Sequence, residues 1–222
     1  MAVVIVAVTA AVVAENDISP TQISIFFITL AYAIFTSAMG EAKTFVFLGD
    51  SLTEGYGVAQ SSSFPQLIQQ KVIADKLDWK IIGAGSSGST SASTLSRLKW
   101  IAKDKPDYVM ILLGSNDGLR GFKPEEVEKN LSEALEWAEK NNQKIILGQL
   151  NVPANYGKAY QQKFSEIYPR LAKKFNVDLA PYILEGVYGR PELNLPDGVH
   201  PNEKGYKVIA DRMYAFLKTY LK

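Results

Sequence analysis

The sequence predicts an α/β fold, a parallel sheet of about five strands with helices on both faces, on three observations. From Lys43 onward, short β-rich apolar runs alternate with amphipathic stretches at helical spacing, the pattern of repeated strand–helix crossovers. One run, Tyr108–Leu113, is apolar without a break, as expected of a central parallel strand buried on both faces. The 222 residues, 47% apolar and 21% charged, have a length that one ordinary α/β domain can fill.

Each element has a local cause. Thr44–Leu48 (TFVFL) is rich in β-formers, is bounded by Gly49 and reads as the first strand. Phe64–Leu77 sets Leu67, Ile68, Val72 and Ile73 at helical spacing. Trp79–Ile82 reads as a second strand, ended by the Gly/Ser-rich loop Gly83–Ser89. Ser91–Ala102 is helical, with Leu95, Leu98 and Ile101 on one side. After the central strand comes the clearest helix, Pro124–Asn141. Pro124 suits its first turn, Glu125 and Glu126 complement its dipole, and Lys140 lies near its end. Lys144–Leu150 is the fourth strand, Lys158–Phe175 a helix expected to bend at Pro169, and Val177–Ala180 a fifth strand. Glu203–Leu221 closes the chain as a helix with Val208, Ile209, Met213, Phe216 and Leu217 inward. No repeat or linker interrupts 43–222, which is read as one domain.

Composition excludes several classes. Lys and Arg number 24 against 23 Asp and Glu, a net charge of +1, without the basic excess of a nucleic-acid binder. Cysteine is absent, which removes disulfides, thiolate catalysis and Cys-ligated zinc. There is one histidine, His200, so no mechanism needing two imidazoles can run within one chain.

Charge is unevenly placed: no Lys or Arg precedes Lys43, and only Glu15, Asp17 and Glu41 are acidic there. Residues 1–42 form two apolar runs, Met1–Ala14 and Ile23–Met39, the second ending in the small residues Ser37, Ala38 and Gly40. That ending resembles the cleavage site of a secretory signal, although the positive n-region is missing. The run also reaches the short limit of a membrane span, roughly 17 residues. Residues 1–42 are therefore read as a signal peptide, giving a periplasmic or secreted location, or as an anchor that associates with a membrane through 23–39 if uncleaved. A folded helix is the remaining reading.

In open parallel sheets the site lies at the carboxyl ends of the strands, where three polar loops fall. Gly49-Asp50-Ser51-Leu52-Thr53 follows the first strand and can expose a serine Oγ on a strand-to-helix turn, or simply cap a helix. Gly83–Thr90 can offer backbone donors, or be a plain turn. It lacks the GxxxxGKS or GxxxxGKT pattern of a phosphate loop. Gly114-Ser115-Asn116-Asp117-Gly118 can aim an Asn amide at a developing oxyanion, or turn the chain. A fourth segment, Asp197-Gly198-Val199-His200-Pro201, sets an Asp three residues before the lone His. That Asp can accept the Nδ1–H and leave Nε2 as a base, or cap the local backbone. Together the four supply a nucleophile, an imidazole base, an orienting carboxylate and oxyanion donors. The rival use of Asp50, Asp117, Asp197 and His200 is a metal site, which for zinc needs an unusually carboxylate-rich ligand set.

The strings FLGDSLTEGYGV (47–58), GAGSSGSTS (83–91), LLGSNDGLRGF (112–122) and DGVHPN (197–202) resemble, in order and spacing, the four blocks of the GDSL or SGNH hydrolases. The match is nearest the bacterial thioesterase, arylesterase and lysophospholipase group, which shares NDGLRG and the PANYG string found at Pro153–Gly157. The resemblance implies a three-layer α/β/α sandwich with a mostly parallel, flavodoxin-like sheet, and no metal or organic cofactor. It implies Ser51 as nucleophile with Asp197 and His200, and an oxyanion hole from the Ser51 and Gly88 N–H groups and the Asn116 amide. It also implies an acyl groove bordered by Leu119, Phe122, Val152 and Tyr156. Two positions depart from the family: Gly83 stands where relatives often have Asn, and Ser89 where they often have Asp. These departures bear on loop rigidity rather than on the reacting groups. The substrate expected is a small acyl ester or thioester, with no nucleic acid and no obligate protein partner. A carbohydrate O-acetylesterase, or a non-catalytic lipid- or glycan-binding protein, are the alternatives.

Overall fold

Five strands, all parallel, stand in the order β2-β1-β3-β4-β5: β1 Lys43–Gly49, β2 Trp79–Gly85, β3 Tyr108–Leu112, β4 Ile145–Gly148 and β5 Asp178–Ala180. The computed structural model describes residues 42–153 and 156–222. The expectations for 1–42 fall, but for Ala42, outside the described residues. No helix among the described residues is long and apolar enough to cross a membrane.

The helices are α1 Ser51–Glu54, α2 Phe64–Ala74, α3 Thr94–Ile101, α4 Ser115–Leu119, α5 Pro124–Lys140, α6 Lys158–Phe175 and α7 Glu203–Leu217. Helices α2 and α7 pack together, and α5 packs against both α3 and α6. These two groups sandwich the sheet, which is why β1 and β3 are apolar on both faces: Phe45, Phe47, Leu48, Val109, Met110 and Ile111 are all fully buried. Phe47 meets Phe64 of α2 edge-on, with ring centroids 5.0 Å apart, a favoured aromatic geometry.

Several elements differ from the sequence reading at their ends. The helix read over Phe64–Leu77 closes at Ala74, and that read over Ser91–Ala102 opens in a 3-10 turn and is α-helical over Thr94–Ile101. Three further differences have a clear cause or consequence. The second strand runs on through Gly83-Ala84-Gly85, paired with Phe47, Leu48 and Gly49 of β1. Its glycines mark close approach rather than a turn: a Cβ on Gly85 would lie 2.1 Å from the Glu54 amide nitrogen, so only glycine lets α1 sit on the strand's end. The fourth strand stops at Gly148, because its partner β5 ends at Ala180 before Pro181. The last helix ends at Leu217, and a turn carries Leu221 back into the core. Helix α6 continues through Pro169 as one element.

Candidate active site

The loops after β1, β2 and β3 and the segment before α7 meet at the carboxyl edge of the sheet. Ser51 is the first residue of α1. Asp50 caps that helix, its Oδ1 accepting from Leu52 N–H at 3.1 Å. Both readings of this loop thus hold together: Asp50 is the cap, and Ser51 presents its Oγ.

His200 reaches Ser51 from the other end of the chain, with Nε2 3.0 Å from Oγ, and its Nδ1 lies 2.8 Å from Asp197 Oδ2. The segment that carries them is braced. Asn194 and Pro201 form an antiparallel bridge, and Leu195 N–H donates to His200 O at 2.7 Å. Asn202 caps α7 by accepting from the Lys204 and Gly205 N–H groups. Burial pushes the Asp197 carboxyl up. The His200 N–H and ring and the Val199 N–H outweigh it and hold the group below its ordinary value.

Asn116, on α4, lines the same groove as this pair. Its Nδ2 donates to Ser89 O at 3.0 Å and lies 3.5 Å from Asp50 Oδ2. Two features set its position. Gly114 turns the chain at φ +128°, where a Cβ would strike Tyr168 Oη. Asp117, 2% exposed, accepts from Ser91 N–H at 2.8 Å and Ser91 Oγ–H at 2.6 Å, so it fastens α4 to the loop after β2. Gly88, in that loop, has φ +76°, which favours glycine.

Asp50, 1% exposed, is a carboxylate that the sequence offered only as a helix cap or as a ligand of the rival metal site. Burial raises it to about 6, opposed by hydrogen bonds from Leu52 N–H and Ser115 and by the charge of His200. Arg97 of α3 stands behind it, donating to Gly49 O at 2.8 Å and Ala84 O at 2.6 Å. The guanidinium thereby ties together the carboxyl ends of β1 and β2. Among the described residues no three His, Asp or Glu side chains gather as they would round a metal.

A groove of about 160 Å³ runs from Ser51, Asn116 and His200, walled by Leu52, Leu119, Leu150, Pro153, Tyr182 and Leu184. Of the four expected walls only Leu119 faces it. Val152 is turned inward, 3% exposed and packed on Gly118. Tyr156 spends its hydroxyl on Leu119 O at 2.6 Å, and Phe122 is exposed beyond α4; neither is among the groove's described walls. The wall that sequence reasoning missed, Tyr182 and Leu184, comes from the segment after β5. It carries no motif and reaches the site only because β4 and β5 are neighbours.

A serine hydroxyl bonded to an imidazole that is bonded to a carboxylate, at the carboxyl edge of a parallel sheet, defines a site able to transfer acyl groups. The GDSL-like lipase/acylhydrolase family model matches residues 47–208. The chain is 40% identical over 189 residues, 83% of this chain and 88% of the relative, to thioesterase 1/protease 1/lysophospholipase L1 of Escherichia coli K12. It is 35% identical over 191 residues, 86% of this chain and 95% of the relative, to an arylesterase of Vibrio mimicus. Among solved structures it resembles the psychrotrophic esterase EstA of Pseudoalteromonas sp., inhibited there by monoethylphosphonate. The TM-score is 0.77 at 33% identity, covering 81% of this chain and 98% of that one. The chain belongs to the GDSL-like lipase/acylhydrolase family and is a carboxylic-ester hydrolase.

Proposed function

We propose that this enzyme hydrolyses acyl esters and thioesters, lysophospholipids included, through Ser51, His200 and Asp197. The observation that carries the reading is the unbroken hydrogen-bond chain from Asp197 through His200 to Ser51, placed at the head of an apolar groove. Ser51 Oγ attacks the acyl carbonyl while its proton passes to His200 Nε2. The negative charge moves to the carbonyl oxygen, which the Ser51 and Gly88 N–H groups and the Asn116 amide receive. Collapse expels the alcohol or thiol, protonated by His200, and leaves an acyl-Ser51 ester. Water, deprotonated by the same imidazole, then releases the acid and restores Ser51. Asp197 keeps the proton on Nδ1 and stabilises the imidazolium. The names of the relatives, thioesterase, lysophospholipase and arylesterase, support the substrate range.

The test is a panel of p-nitrophenyl acetate, octanoate and palmitate, an acyl-CoA, a lysophospholipid and an acetylated sugar, with and without EDTA. Hydrolysis of acyl esters and the acyl-CoA, unchanged by EDTA, is expected. Turnover of the acetylated sugar alone, or activity lost to EDTA and restored by a metal ion, contradicts the proposal.

A further inference from the structure

We propose that Glu54 is a positioning residue for the oxyanion site, a latch from the nucleophile's own helix to the loop that carries Gly88. The inference rests on the role just given to Gly88. Glu54 lies three residues after Ser51, and its Oε2 accepts from both the Ser87 N–H at 2.7 Å and the Ser87 Oγ–H at 2.5 Å. Ser87 immediately precedes Gly88. The bonds to its N–H and Oγ–H fix the Ser86–Ser87 peptide and the Ser87 side chain, and so anchor the residue whose carbonyl forms the next peptide, the one that carries the Gly88 N–H.

The latch has a built path. Gly85 lets the Thr53–Glu54 backbone settle directly on the end of β2, and the loop leaves the sheet at that residue. The Glu54 carboxylate is therefore delivered beneath the loop's second residue by backbone contact, without a long search of side-chain conformations. Few other bonds restrain the loop, which is exposed over Ser86–Gly88. Ser86 N–H donates to Gly49 O at 3.2 Å, and Ser89 N–H donates to Ser86 O at 3.1 Å. Arg120, at the end of α4, donates to Gly88 O at 3.3 Å from the opposite side.

Gly88 is thus flanked by an anion on the preceding residue's N–H and a cation on its own carbonyl. Bonds to charged groups are stronger than neutral ones, and an oxyanion donor acts only if it is fixed before charge develops. The loop has Ser89 where the family resemblance expects Asp. Its restraint comes from outside, through Glu54 on one side and through Asn116, Asp117 and Arg120 of the α4 segment on the other.

The test compares Glu54→Ala and Glu54→Gln with wild type on p-nitrophenyl octanoate, reading kcat, KM, thermal midpoint and the site of labelling by an organophosphonate. Removing a whole oxyanion donor costs about 10²–10³ in kcat, so loosening one is expected to cost Glu54→Ala about 5- to 30-fold. KM should stay within about twofold, as for an interaction made only in the transition state. The midpoint should hardly move, because Glu54 is exposed. Glu54→Gln retains an oxygen acceptor for Ser87 and should recover most of the rate. Ser51 labelling together with an unaltered kcat in Glu54→Ala overturns the latch alone. A loss appearing only in KM, or matched by a large fall in midpoint, also overturns it. Labelling of the wild type at a serine other than Ser51 overturns the latch and the nucleophile assignment together.

Discussion

Asp197 holds His200 at two points and the residue before it at a third. Its Oδ2 takes the imidazole Nδ1 at 2.8 Å, while its Oδ1 accepts the Val199 and His200 N–H groups at 2.9 and 3.0 Å. One carboxylate fixes both the ring and the backbone that carries it. The three-residue spacing is that of a turn closed by its own first side chain, with Gly198 at φ +68° completing the bend.

Asp197→Asn and Asp197→Ala should therefore separate catalysis from structure. The Asn oxygen can still accept the two backbone N–H groups, but its amide donates towards Nδ1 and selects the wrong tautomer. The expected fall in kcat is on the order of 10³–10⁴ with little change in melting temperature. Asp197→Ala loses the backbone bonds as well and should be about 1–2 kcal/mol less stable. Parallel kinetics and thermal denaturation check this.

Asp50 makes stability depend on pH. Its folded value, raised by burial to about 6, lies above the ordinary 3.8. The folded state thus keeps a proton that the unfolded chain has already released. The contribution is full below about pH 4 and is lost as pH rises through about 6, on the order of 2–3 kcal/mol. Asp50→Asn keeps the helix cap without the buried charge. Its melting temperature relative to wild type should climb between pH 4 and 7.5, as measured by pH-resolved denaturation. A difference constant with pH contradicts this account.

The groove should read acyl length. Each methylene buried is worth about 0.8 kcal/mol, so kcat/KM should rise about fourfold per added carbon until the groove is full. Leu150→Phe narrows the wall and should move the optimum to shorter chains while sparing the acetate ester. A homologous series of p-nitrophenyl esters measures it.

What was legible in the sequence was what is encoded locally. Ser51, Asp197 and His200 sit in short turns whose residue types announce them, and the alternation of elements prescribes the sheet. Gly83 and Gly85 read as loop because the helix they admit is visible only once packed. Tyr182 and Leu184 were missed because strand order, not any motif, brings their segment to the groove. Asp50 read only as a cap or a metal ligand, and Arg97 not at all, for the same reason: their partners come from β1, β2, α1, α4 and the His200 segment, which only the fold brings together.

The central claim is that Ser51 is the nucleophile. An organophosphonate that phosphonylates serine, followed by peptide mass spectrometry, tests it most directly. A single adduct on the Ser51 peptide is predicted, with Ser51→Ala folded, unlabelled and without turnover. An adduct on Ser86, Ser87 or Ser115, or wild-type turnover retained in Ser51→Ala, contradicts the claim.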